Sequence, residues 1–124
     1  MARAGAADLL VVKAAPLGGV RRALAIVAEA GLPAVVSSAL DSSVGIRAGL
    51  ALASALPELP YACGLGTVSL LRDDVLAEPL RPAGGFLELR DAVPAPDLLA
   101  RRAVPAERRR WWLERVRRVH ALQR

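Results

Sequence analysis

The sequence predicts an α/β protein built from parallel βα units, followed by a proline-rich segment and a basic terminal helix. Two observations carry this. Short continuous apolar runs, of the kind a strand buried on both faces requires, alternate with stretches of helical periodicity between residues 8 and 77. Strands and helices alternating at this spacing form parallel sheets. Beyond Ala77 the alternation stops, and residues 78 to 97 hold four prolines and two glycines. The chain therefore divides into residues 1–77, which hold the βα units, and residues 78–124, a return segment and an arginine-rich helix.

The first run, "DLLVVK" at 8 to 13, reads as a strand, and "APLGG" supplies the turn after it. From Val20 to Ala30, Val20, Leu24, Val27 and Ala28 recur at helical spacing, with Arg21, Arg22 and Glu29 off that face; Gly31 is a natural C-terminal stop. The pattern repeats with "LPAVVSS" at 32 to 38 as a second strand and "SSVGIRAGLALASAL" at 42 to 56 as a second helix, for which Ser42 or Ser43 is the candidate cap. A third strand is expected in "LPYACGLGTV" at 59 to 68, with a short helix over 69 to 77. The proline-rich stretch predicts turns and an edge hairpin centred on Gly84 and Gly85. Pro105 to about Gln123 reads as a helix with Trp112, Val116 and Val119 on one stripe and Trp112 packed on the domain.

Composition narrows the function classes. At 124 residues with 54% hydrophobic content, the chain has the material for one modest core, and disorder is excluded for most of it. The lone Cys63 permits no internal disulfide and no multi-cysteine metal site, which points to a reducing, cytoplasmic setting. No targeting segment is evident, and the apolar stretch from Ala48 to Leu56 is too short to span a bilayer, so no membrane partner is expected. Of the net charge of +5, residues 101 to 124 contribute +7, with nine arginines against Glu107 and Glu114. The body is slightly acidic, which argues against nucleic acid as a partner of the whole protein.

Sixteen of the seventeen basic residues are arginine; the one lysine, Lys13, ends the first predicted strand. A compact, deprotonatable amine on a flexible stem is something arginine cannot supply. The ends of the other two predicted strands carry Ser37 and Ser38 before Asp41, then Gly64, Gly66 and Thr67. In parallel α/β architectures the loops after the strands' C-terminal ends gather at one mouth, where ligands bind. A lysine there can take a proton from carbon next to a carboxylate if its environment lowers its pKa, or stabilise a developing enolate by charge. The alternative is a lysine that snorkels at a strand end or pairs with a carboxylate.

Other signals are weaker. His120, the only histidine, lies in the arginine-rich helix with nothing at metal-ligand spacing beside it. Cys63 reads as a small core residue, and "GLG" at 64 to 66 and "LGG" at 17 to 19 lack the full spacing of a phosphate loop. Trp111 and Trp112 beside three arginines leave two readings open, a base- or membrane-contacting surface and an amphipathic helix packed on the domain.

Taken together, "VVKAAPLGGV", "VVSSALDSSVG" and "PYACGLGT" resemble, in order and spacing, the sixth, seventh and eighth strand ends of the enolase-superfamily barrel, and most closely the actinobacterial o-succinylbenzoate synthase family. The resemblance covers nearly all of residues 5 to 77, and the tail resembles that family's return to its capping region. It implies the C-terminal part of a (β/α) barrel, about three βα units, belonging to a Mg²⁺-dependent dehydratase of menaquinone biosynthesis. By the same resemblance Lys13 matches the second of two active-site lysines, serving in acid–base work or as a cation beside the enediolate. Ser37 or Ser38 and the backbone at Gly64 match positions that hold the substrate's carboxylates. Asp41 matches an acidic position that is not taken here as a metal ligand. The family's three metal-binding carboxylates and its first lysine pair have no counterpart in this sequence, so no metal ligand is assigned. The expected partners are a small carboxylate substrate and the missing N-terminal part of the barrel, and the chain alone is expected to be inactive. Within the superfamily the alternatives are an N-acylamino acid racemase or a dipeptide epimerase; outside it, a non-catalytic remnant or a binding module using the arginine-rich helix.

Overall fold

The structure, a computed structural model, describes residues 5–122. Two short strands, β1 (Leu10–Val12) and β2 (Ala34–Val36), pair in parallel with Leu10 opposite Ala34 and Val12 opposite Val36. The crossover between them is α1 (Val20–Ala30), and α2 (Ser43–Ala55) follows β2. Alternation along the strands sorts their side chains. Val12 and Val36 turn into the core with the helices, whereas Val11, 64% exposed, faces the open side.

Gly31 ends α1 in the left-handed conformation, φ 64°, and its N–H reaches the Val27 carbonyl, as the sequence predicts. The buried stripe of α1 is rotated from the predicted one. Ala23 is fully buried and Val20, Leu24 and Val27 are half-buried, while Ala28 is exposed. Ala23 belongs to the core in which α1 meets α2, and a pattern built from large apolar residues overlooks it.

Along α2, Ile46, Gly49, Leu50, Leu52 and Ala53 are buried. A Cβ placed on Gly49 would lie 2.6 Å from a Leu65 methyl that is itself in the core. Gly49→Val should therefore lower stability by about 2 kcal/mol through overpacking, read as a shift in the urea midpoint. Ser42 stands at the N-cap position before the helix, but neither serine caps it by its own side chain. The Asp74 carboxylate instead accepts the Ser43 N–H at 3.1 Å and the Ser43 hydroxyl.

Two predicted elements are not formed. The stretch at 59 to 68 contributes a single parallel bridge, Ser37 to Gly64, with the Gly64 N–H on Val36 O at 2.8 Å and the Ser38 N–H on Gly64 O at 2.9 Å. Glycines at 64 and 66 weaken strand pairing, and no described strand lies on the far side of this segment to extend the ladder. The helix expected over 69 to 77 is reduced to a 3-10 turn, Thr67–Leu70. Asp74 accepts the N–H of Val75 at 2.8 Å and turns inward to Ser43, and such local side-chain bonds compete with helix.

The return segment packs into the same core: Leu80 is 1% exposed, and its N–H donates to Ser43 Oγ at 2.7 Å. The predicted hairpin at Gly84 and Gly85 is present as a tight turn in which Ala83 and Phe86 exchange hydrogen bonds of 2.8 and 3.0 Å. Both glycines have positive φ, 56° and 83°, as a two-residue hairpin turn requires. A six-residue helix that the sequence reading missed, α3 (Pro96–Arg101), follows, with proline in its first turn and an Asp97–Arg101 ion pair of 2.8 Å. Arg102 holds Asp73 at 3.0 Å, and its hydrogen bond and charge keep the Asp73 carboxyl below the usual carboxylate range. Because that value is depressed in the folded state, this tether is present at neutral pH and is lost as pH falls through it.

The terminal helix α4 (Ala106–Ala121) forms within the predicted span, whose expected end at Gln123 lies outside the described residues, but it does not pack on the domain. Trp112, Val116 and Val119 are 50%, 62% and 46% exposed. Arginines at 108, 109, 110, 115, 117 and 118 occupy every side of the helix, so no apolar stripe is wide enough to bury. Trp111 and Trp112 meet edge to face at 4.7 Å, and the guanidinium groups of Arg108 and Arg115 lie 5.7 Å from the Trp111 ring. His120 is exposed on this helix, and Cys63 is partly buried against the core. No helix among the described residues is long and apolar enough to cross a membrane.

Candidate functional site

Lys13 follows β1 and Ser37 follows β2, and both share the parity of Val11 and Val35, the open side of the sheet. The parallel register therefore brings them together without any special loop. Lys13 Nζ donates to Ser37 Oγ at 2.5 Å and to the Ser38 carbonyl at 2.5 Å. Its side chain is half-buried, and among the described residues no carboxylate pairs with it. An ammonium with three donors is thus held by two neutral oxygens, which leaves one donor and the uncompensated charge for an anionic ligand.

Ser37 and Ser38 divide the labour. Ser37 Oγ accepts from Lys13, and its own proton has no acceptor among the described hydrogen bonds. Ser38 is buried, 6% exposed; its hydroxyl donates to Gly64 O at 3.0 Å and accepts from Thr67 Oγ1 at 2.7 Å. The Ser38 hydroxyl is therefore committed within the protein, and Ser37 is the one that reaches the mouth. Both backbone groups of Gly64 are likewise committed to the sheet bridge. The glycine matters sterically, since a Cβ there would stand 3.3 Å from Ser37 Cβ.

Lys13, Ser37, Ser38 and Gly64, the four residues singled out in the sequence, thus meet at one place, and Thr67 joins them. The sequence puts Thr67 at the mouth, but its bond to Ser38 depends on the 3-10 turn that replaces the expected strand end. Asp41 sits apart, its carboxylate accepting the Ala39 N–H at 3.0 Å beside Leu40 with φ 55°. The polar groups nearest Lys13 are hydroxyl and carbonyl oxygens, with no group of three or more potential metal ligands among the described residues. Magnesium takes hard, usually carboxylate, oxygens in octahedral array, and the described residues do not fit it.

Comparison with known proteins agrees with this architecture. The family described as enolase C-terminal domain-like matches residues 1–94. Over 120 residues, 97% of the chain, it is 59% identical to an o-succinylbenzoate synthase of Mycolicibacterium smegmatis and 53% identical to one of Mycobacterium leprae. Those stretches are 37% and 36% of the relatives, so the chain spans a little over a third of their length. Among solved structures, a probable mandelate racemase from Alicyclobacillus acidocaldarius superposes with a TM-score of 0.65 and 35% identity, over 81% of this chain and 28% of that one. The lysine-bearing mouth of parallel strand ends and the extent of these matches lead to one assignment: this chain is a member of the enolase C-terminal domain-like family.

Proposed function

We propose that this chain supplies the Lys13 side of an o-succinylbenzoate synthase active site, in the formation of o-succinylbenzoate for menaquinone biosynthesis. The observation that carries the reading is the half-buried Lys13 ammonium, held among the described residues by neutral acceptors alone, beside a Ser37 hydroxyl with a proton to give. Together they offer two converging donors to one carboxylate of the substrate. In the reaction a base takes the proton from the carbon next to that carboxylate, charge moves onto the carboxylate oxygens, and the neighbouring hydroxyl takes up a proton and departs as water to leave the aromatic product. Lys13 Nζ stabilises the charge as it builds, and a donor already in place gains strength without reorganising. Relatives in the superfamily generally use Mg²⁺, but the described residues do not hold it, and no step here is assigned to it.

The test is a chimera in which this chain replaces the matching 120-residue stretch of the M. smegmatis relative. A folded chimera that dehydrates the hydrated precursor to o-succinylbenzoate, with the 124-residue chain alone showing no turnover, supports the reading; a folded but inert chimera overturns it. In that chimera Ser37→Ala should raise KM about tenfold with little change in kcat, because a hydrogen bond to the substrate's charged group is lost equally from ground and transition states.

The likeness to a probable mandelate racemase favours a second reading, proton transfer at a carbon next to a carboxylate without loss of water, as in an N-acylamino acid racemase or a dipeptide epimerase. It rests on 35% identity over 81% of the chain, against 59% over 97% for the synthase. Exchange of the substrate α-proton for deuterium by the chimera, with no dehydration product, would establish it.

A further inference from the structure

Resting on the reading of Lys13 as the working cation, we propose that Thr67 is a positioning residue for it, acting through Ser38. One chain of donors links Thr67 to the residue that holds Lys13. Thr67 Oγ1 donates to Ser38 Oγ at 2.7 Å, and Ser38 Oγ donates to Gly64 O at 3.0 Å. The Ser38 N–H reaches that same Gly64 carbonyl at 2.9 Å, so residue 38 is clamped at both its backbone and its hydroxyl. Its remaining polar group, the carbonyl, is the one that accepts Lys13 Nζ.

The clamp is needed because β2 has ended at Val36 and the ladder supplies only one bridge beyond it. Without the hydroxyl chain, the peptide after Ser38 is free to rotate toward the loop at Leu40, whose φ of 55° marks a sharp change of direction. Thr67 is itself fixed in the 3-10 turn, with Val68 beside it buried at 1% exposure. It touches neither Lys13 nor the open mouth in any described hydrogen bond, and its effect is on where the ammonium stands.

The chain has a single lysine, so its ε-amine can be followed without interference. The experiment is reductive methylation of the full 124-residue chain with labelled formaldehyde, read by mass spectrometry of the Lys13 peptide, which separates it from the N-terminal amine. Thr67→Val keeps the shape and removes the hydroxyl; Thr67→Ser keeps the hydroxyl. Loss of one hydrogen bond from the clamp should speed Lys13 methylation about fivefold in Thr67→Val, and Thr67→Ser should return it to within about twofold of wild type. Ser38→Ala breaks the same chain from the other side and should match Thr67→Val; it serves if the valine variant does not fold.

Equal rates in wild type, Thr67→Val and Ser38→Ala would overturn the proposal. So would a Thr67→Ser rate as fast as that of valine, because packing and not the hydroxyl would then be responsible. A wild-type rate equal to that of the chain in urea would overturn it as well, since no cradle would then exist. None of these readouts depends on turnover, so failure of the synthase reading would show separately, as an inert chimera with the methylation pattern intact.

Discussion

Replacing Lys13 with alanine in the active chimera should lower kcat by about a thousandfold, the effect of removing a preorganised charge from a developing oxyanion. The geometry makes the loss large. Lys13 is the only cation among the described groups at the mouth, and Ser37 Oγ and the Ser38 carbonyl already fix it there. KM should rise as well, because in the proposed function the same ammonium holds the substrate's carboxylate in the ground state.

Arginine is the sharper test. Lys13→Arg keeps the charge, but a planar fork does not fit a cradle of two oxygens set 2.5 Å from a single nitrogen. KM should return most of the way to wild type while kcat stays down by about a hundredfold. A wild-type kcat for the arginine variant would reduce Lys13 to a long-range charge. More than a tenth of wild-type kcat in the alanine variant would remove it from the chemistry altogether. Both constants come from the same steady-state titration.

What could be read from the sequence, and what could not, follows from the range of the interactions. Lys13, Ser37 and Gly64 were legible because a period of two and a parallel register carry strand ends to one place whatever the loops do. Gly31 and the Gly84–Gly85 turn were legible because left-handed backbone asks for glycine locally. The third strand was not, since pairing depends on neighbours on both sides, and among the described residues the run at 59 to 68 makes a single bridge, Ser37 to Gly64. Trp112 was placed in a packed face because its stripe looks apolar in projection, yet the surrounding arginines leave it half exposed. Asp74 gave no signal at all: its partner Ser43 lies 31 residues away, and nothing in "LRDDV" distinguishes it from the exposed Asp73 before it.

That unannounced aspartate should carry the largest stability effect in the chain. Asp74 is 6% exposed, and its carboxylate accepts the N–H and hydroxyl of Ser43 and the N–H of Val75. It also sits at the start of α2, where an anion meets the positive end of the helix dipole. Asp74→Ala strands the two buried donors of Ser43 and the half-buried N–H of Val75 at once, and the cost should be about 3 kcal/mol in urea unfolding, a large share of the 5–15 kcal/mol typical of a domain. Asp74→Asn, which keeps one acceptor oxygen, should lose roughly half as much.

Ser43→Ala should also destabilise, because Ser43 Oγ is the acceptor for the Leu80 N–H that ties the return segment to the core. The double variant should lose clearly less than the two single losses added together, since both remove the same network. A loss under about 0.5 kcal/mol for Asp74→Ala would place the pair among ordinary surface contacts. The predicted loss would instead show that the start of α2 is held by a residue 31 positions further along the chain. The loop from Ser38 to Ser42 joins that helix start to the Lys13 cradle, so the carboxylate also steadies the mouth, and Asp74→Asn should speed Lys13 methylation even in the fraction that remains folded.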